Sequence, residues 1–204
     1  MRNDDHHPLG ATPHEDGTVF RVWAPHAEAV AVVGSFNDWA ADASPMTRAD
    51  DGIWQADVAE AKPGDEYRFL LDTPQGELSR IDPRAREVTN SVGNGIIADP
   101  AHDWHGDSAA MPAWNELVVY EMHIGTFHRT DEATPGTFVD AARKLDHLRR
   151  LGVNAVQIMP VIEFAGDVSW GYNPSHIFAI ESAYGGPDGF KDFVAAAHRA
   201  GFAV

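Results

Sequence analysis

Residues 153–159 are an apolar run that reads as a strand buried on both faces, and a helical pattern begins near Pro187. The connection between them is about 25 residues long, where strand-to-helix connections usually need about 2 to 6. A connection that long is either functional or disordered. This one carries Phe164, Trp170, Tyr172, Phe178 and Tyr184, enough apolar ring surface to offset the entropy of ordering it. It is expected to be an ordered loop that faces a substrate.

The second half of the chain alternates strand and helix. Residues 116–127 read as a strand buried on both faces, through Leu117, Val118, Val119, Tyr120, Met122 and Ile124. Residues 137–151 place Phe138, Ala141, Leu145, Leu148 and Leu151 at helical spacing, with Gly152 as the stop. Residues 187–200 repeat the pattern with Phe190, Val194 and Ala197 inward, and residues 202–204 open a third strand. Two strand–helix units do not close a sheet, and an eight-fold barrel needs about 250 residues. The expectation is the front end of a longer protein.

The first half changes period. Short alternating segments at residues 18–23, 29–36, 53–58, 66–71 and 94–99, separated by turns such as Pro63-Gly64 and Pro74-Gln75-Gly76, predict a β-sandwich. Trp54, Ala56 and Val58 share one face, as do Tyr67, Phe69 and Leu71, and Trp23 is assigned to the core. The expected organisation is a mobile tail over 1–17 holding His6, His7 and His14, a sandwich over 18–99, a linker over 100–115 and an α/β part over 116–204.

Lys and Arg total 15 against 31 Asp and Glu, a net charge of −16 that repels phosphate backbones and anionic membranes. Nucleic acid and membrane are excluded as expected partners. The absence of cysteine removes disulfides, thiolate chemistry and cysteine-based metal sites. The polar opening, with no apolar signal core and no run of 18 apolar residues, predicts a soluble cytoplasmic protein.

The motifs carry a resemblance. Phe20-Arg21-Val22-Trp23-Ala24-Pro25, Gly34-Ser35-Phe36-Asn37-Asp38-Trp39, Tyr67-Arg68-Phe69 and Asp82-Pro83 resemble the N-terminal sandwich of branching enzymes, isoamylases and a kinase glycogen-binding module. Tyr120-Glu121-Met122-His123-Ile124-Gly125-Thr126-Phe127, Met159-Pro160-Val161, Ser169-Trp170-Gly171-Tyr172-Asn173-Pro174 and Tyr184-Gly185-Gly186-Pro187-Asp188 follow the order of the α-amylase family, glycoside hydrolase family thirteen. Within it the combination is similar to bacterial 1,4-α-glucan branching enzymes first and malto-oligosyltrehalose trehalohydrolases next.

The resemblance implies a multidomain β and α/β fold: an immunoglobulin-like β-sandwich followed by the first strand–helix units of a truncated (β/α)8 TIM barrel. It implies retaining chemistry by two carboxylates that lie on strands beyond Val204, so no catalytic residue is expected in this chain and the chain alone is expected to be inactive. Glu163 and Asp167 are assigned to loop hydrogen bonding, and Glu121 and His123 to the rim of the barrel. Tyr172 matches the family's aromatic platform beneath a sugar ring, held in place by Trp170 and Asn173.

On the sandwich, Trp39, Arg68 and Asn94 match glucan contacts, but the segment Gln75-Gly76-Glu77-Leu78 lacks the second ring, which predicts weak binding. The implied partner is an α-glucan (glycogen, starch or maltooligosaccharide), with no cofactor and no metal. A non-catalytic glucan-binding module is the alternative of a different class.

Overall fold

The computed structural model of the protein describes residues 7–104, 106–107 and 109–204. It divides into two compact units: one runs to Pro100 and takes in His176–Phe178, the other holds Ala101–Ser175 and Ala179–Val204. Residues 101–115, expected as a linker, therefore group with the second unit, where they carry a short 3-10 turn at Trp114–Glu116.

Among its described residues the first unit is built from nine antiparallel strands: β1 (Gly10–His14), β2 (Gly17–Trp23), β3 (Ala29–Gly34), β4 (Thr47–Arg48), β5 (Ile53–Val58), β6 (Glu66–Thr73), β7 (Gly76–Arg80), β8 (Glu87–Val88) and β9 (Gly95–Ile96). One sheet has the order β1-β2-β5-β4; the other has β3-β6-β9-β8, with β7 also paired to β6. The registers Phe20↔Ala56 and Val22↔Trp54 bring inward-facing residues of β2 and β5 side by side, as alternation requires. Between the sheets Phe20, Val22, Val30, Val32, Trp54, Tyr67, Phe69 and Ile97 form one buried cluster. The rings of Phe20 and Tyr67 lie 5.1 Å apart and those of Tyr67 and Phe69 5.9 Å apart.

Two expectations for this unit are corrected. Residues 10–14 of the expected tail are not loose: β1 pairs along its length with β2, and His14 Nε2 lies 2.9 Å from Asp57 Oδ1. Its composition hid it, because Pro13 cannot donate to a ladder and is tolerated only at a sheet edge. Residues 1–6, including His6, lie outside the described residues. Trp23 is the second correction. Phe20 and Val22 point inward, so Trp23 falls on the opposite face, 62% exposed, with Nε1 donating to Asp51 O at 3.1 Å.

In the second unit β10 (Val119–Met122) and β11 (Ala155–Ile158) pair in parallel, and Ala203 bridges Ala155 in the same sense. Asn154 secures their entrance by accepting from Val118 N–H at 2.7 Å and donating to Glu116 O at 2.8 Å. β10 ends at a single helical turn, α1 (Ile124–Phe127), so the expected strand over 116–127 is shorter. Only Met122 of β10 is buried, and Val119 is exposed. The expectation of burial on both faces fails because one side of this small sheet borders an open apolar hollow of about 580 Å³, lined by Trp114, Val119, Ile158, Phe190 and Val194 among others.

The helix expected over 137–151 divides into α2 (Phe138–Ala142) and α3 (Leu145–Arg150), with the break at Lys144, whose φ of −106° leaves the helical region. Thr137 caps α2 reciprocally: its hydroxyl accepts from Asp140 N–H at 3.2 Å and Asp140 Oδ2 accepts from Thr137 N–H at 3.1 Å. The last helix, α4 (Gly186–Arg199), buries Phe193 and Ala197, while Phe190 and Val194 are half-buried on the side of the hollow. The 25-residue connection is itself structured, as a β-hairpin of β12 (Ile162–Phe164) and β13 (Pro174–Ile180) followed by a 3-10 turn at Ser182–Tyr184. Among the described residues no helix is long and apolar enough to cross a membrane.

Candidate functional site

The base of the β12–β13 hairpin is tied by two buried glutamates. Glu163 accepts from Ser182 N–H at 2.8 Å, and Glu181 accepts from Phe164 N–H and Ala183 N–H at 3.1 Å each. Burial pushes both carboxyls above the usual glutamate range, against the lowering effect of the N–H groups they accept, and nearby negative charge adds to the rise. These contacts link β12 to the turn that follows β13. They account for Glu163 as a structural carboxylate; Asp167 lies exposed on the tip.

The tip, residues 165–173, is a closed turn. Ser169 Oγ accepts from Gly171 N–H at 3.1 Å and donates to Asn173 Oδ1. Gly171 has φ of 84°, and a Cβ there would lie 2.2 Å from Pro160 O. Only glycine fits so near the exit of β11. With Gly171 turned inward, Trp170 and Tyr172 on either side of it stand out, 73% and 68% exposed.

The Ser169 carbonyl anchors this tip to the rest of the unit. His123 Nε2 lies 2.7 Å from Ser169 O, and Tyr184 Oη lies 3.1 Å from the same nitrogen and 3.5 Å from the same carbonyl. The Tyr184 ring is buried edge-on against His123, Phe138 and Phe164. Burial, then the charge of Glu181, pushes its phenol up to about 12, so it stays a donor. Beside this anchor is a cavity of about 170 Å³ whose walls include His123, Thr126, Arg129, Asp167 and Tyr184.

On the first unit, Trp39 sits on the turn that leaves β3. Asn37 builds the turn: its Oδ1 accepts from Gly34 N–H at 2.9 Å and its Nδ2 donates to Val32 O and Ser44 Oγ at 3.1 Å each. Asp38 and Trp39 follow in left-handed conformation, leaving the Trp39 ring 41% exposed. Arg68 lies across from Val33 on the outward parity of β6, and its Nε has no hydrogen-bond partner among the described residues. Asn94 Nδ2 is engaged at 2.7 Å by Glu66 Oε2. A hollow of about 610 Å³ lies on the outer face of the other sheet between His14, Thr47, Gln55 and Asp57, and among the described residues the rings that line it are the imidazoles of His7 and His14. Among the described residues no three His, Asp or Glu side chains converge as metal ligands.

Comparison with known proteins follows the division into units. Residues 8–85 match the family described as carbohydrate-binding module 48 (isoamylase N-terminal domain), and residues 122–204 match the α-amylase catalytic domain. Residues 122–204 are the start of an α-amylase-type catalytic domain. Among relatives, a malto-oligosyltrehalose trehalohydrolase of Saccharolobus solfataricus is 35% identical over 93% of this chain and 32% of its own length. A 1,4-α-glucan branching enzyme of Lactiplantibacillus plantarum is 35% identical over 91% of this chain and 31% of its own. A Salmonella typhimurium protein provisionally named an α-amylase, solved by crystallography, superposes with a TM-score of 0.81 at 37% identity, covering 95% of this chain and 32% of that one. The chain spans about a third of the length of the curated relatives it matches.

The residues singled out from sequence fall into two sets. Trp170, Tyr172 and Asn173 share the hairpin tip; Trp39, Arg68 and Asn94 belong to the sheet of β3 and β6 and its flanking turns. His123, Ser169 and Tyr184, which hold the tip, were visible only as members of motifs. Nothing in their spacing along the chain shows that they meet.

Proposed function

We propose that this chain is the glucan-facing front of an α-glucan-active enzyme, with Tyr172 as the ring on which a glucose unit stacks. One observation carries the reading: two large aromatic rings stand exposed on a tip that is internally closed and anchored at its backbone. Holding such rings in water offers folding nothing, whereas the apolar C–H face of a sugar stacks on a π surface with its hydroxyls left free. In this reading the parallel β10–β11 pair with its helices is the opening of a (β/α)8 barrel. The tip follows the second strand at its C-terminal end, where such barrels build their sites. The chain's own residues bind and orient; Glu181 has both oxygens committed to backbone N–H groups, Glu163 has its oxygens on the N–H and hydroxyl of Ser182, and neither takes part in bond cleavage.

Within the family we favour branching, cleavage of an α-1,4 bond and transfer to a 6-hydroxyl, on the run Trp170-Gly171-Tyr172-Asn173-Pro174. Trehalose release is the second reading, favoured by the trehalohydrolase relative of equal identity. Product analysis separates them: the intact protein incubated with amylose is expected to generate α-1,6 linkages detectable by proton NMR. Trehalose released from maltooligosyltrehalose selects the second reading, and the absence of any change in either glucan refutes both.

The sandwich supplies a weaker contact through Trp39 and Arg68, since Asn94 is held by Glu66 and the strand β7 offers no second ring. Trp39→Ala is expected to remove what retention on a glycogen affinity gel the first unit provides. Strong retention that survives the substitution rules Trp39 out.

A further inference from the structure

We propose that His123 is a positioning residue for the glucan platform, acting through the carbonyl of Ser169; the inference rests on the reading of Tyr172 given above. The Ser169 oxygen is an acceptor only, so the imidazole nitrogen 2.7 Å away must be the one that carries a proton, Nε2–H. In the neutral ring Nδ1 is then an acceptor, and Thr126 Oγ1, 3.0 Å away, donates to it. The ring is thus held at both nitrogens, by the first turn after β10 on one side and by the hairpin tip on the other.

Tyr184 completes the clasp from a third element. Its hydroxyl lies 3.1 Å from His123 Nε2 and donates toward the same Ser169 oxygen at 3.5 Å. Gly125 is part of the device: a Cβ there would lie 2.9 Å from Tyr184 Oη and 3.1 Å from His123 Cε1, so any side chain pushes the two donors apart. His123, Gly125 and Thr126 therefore form one local unit whose target is 46 residues away in sequence. Ser169 passes the constraint on, because its own hydroxyl accepts from Gly171 N–H and reaches Asn173, the two residues that flank Tyr172. Release of the Ser169 carbonyl frees the turn that aims Trp170 and Tyr172.

The test compares two amides at this position in the intact protein. His123→Gln places an amide N–H near the Nε2 position, while His123→Asn is polar and reaches Thr126 but falls short of Ser169. Amide hydrogen exchange over residues 166–173 is expected to speed up about tenfold in His123→Asn, the loss of about one hydrogen bond, and to stay within about twofold of wild type in His123→Gln. Maltohexaose affinity is expected to fall in the Asn variant and to be restored in the Gln variant, with the unfolding midpoint unchanged in both. Exchange that matches wild type in both variants, or rises equally in both, overturns the clasp. A loosened tip with unchanged maltohexaose affinity leaves the clasp standing and overturns the role given to Tyr172.

Discussion

Tyr172→Ala, made in the intact protein, is expected to lower kcat/KM for α-glucan by about 5- to 150-fold, equivalent to about 1–3 kcal/mol, with the fold unchanged. The magnitude is that of one base stacked on an aromatic ring, taken over to a sugar ring. The fold is expected to survive because the ring is 68% exposed and the tip is closed by Ser169, Gly171 and Asn173 rather than by Tyr172. Tyr172→Phe keeps the stacking face and is expected to retain most activity. If the loss appears in KM alone, the ring binds ground state and transition state equally; equal falls in kcat and kcat/KM mean the stack is made in the transition state. An alanine variant with wild-type kinetics, or one whose slowed rate is matched by lost thermal stability, removes Tyr172 from the site.

What the sequence discloses and what it withholds follow from the range of the interactions. Periodicity is local, so β2, β5 and β6 emerge with their inward residues correctly phased, from Phe20 through Trp54 to Tyr67 and Phe69. Trp23 misleads because its hydrophobicity points to the core while the parity that Phe20 and Val22 impose turns it outward. β1 escapes because an edge strand draws its order from its partner; Ala11, Thr12 and Pro13 show no alternation of their own. α4 is found but turned by one position, since Phe190 and Phe193 are both apolar and only packing against Phe138 and the neighbouring strands decides which is deeper.

The rings of the long connection already require that it be ordered, yet periodicity gives no sign of a hairpin. β12 is three residues long, and the carboxylates that fasten it, Glu163 and Glu181, look in sequence like surface charge. Tyr172, proposed above as the stacking ring, is singled out by a motif. The contact between His123 and Ser169 is not legible, because the two meet only when two strand exits are brought side by side by β10 and β11. A glycine set among polar residues, as Gly125 is between His123 and Thr126, is the kind of local signal that marks a close approach even when its partner is unknown.

The largest stability change is expected in the first unit, from Tyr67→Phe. Tyr67 Oη donates to Asp82 Oδ2 at 2.7 Å, and Asp82 Oδ1 accepts from Arg84 N–H at 2.8 Å, all inside the sandwich where both side chains are shut off from water. Burial raises the Asp82 carboxyl above its usual range; the Tyr67 hydroxyl and the Arg84 N–H pull it back. Burial first, and then the Asp82 charge, holds the phenol well above its ordinary value, so it remains a donor throughout the accessible range. The sign of the pH effect follows. A carboxyl raised in the folded state stabilises most fully below its unfolded value, and that stability is lost as pH rises through the folded value and the buried group ionises. Phenylalanine keeps the ring packing against Phe20 and Phe69 but removes a contact that favours the anion, leaving one buried oxygen without its donor. The variant is expected to be less stable by about 1–3 kcal/mol near neutral pH and by less near pH ~4, where the carboxyl is protonated more of the time. Urea unfolding followed by tryptophan fluorescence at both pH values measures it. Equal stability and an equal pH slope for the two proteins would mean that solvent reaches Asp82 and that the Tyr67 hydroxyl contributes nothing to holding the sandwich closed.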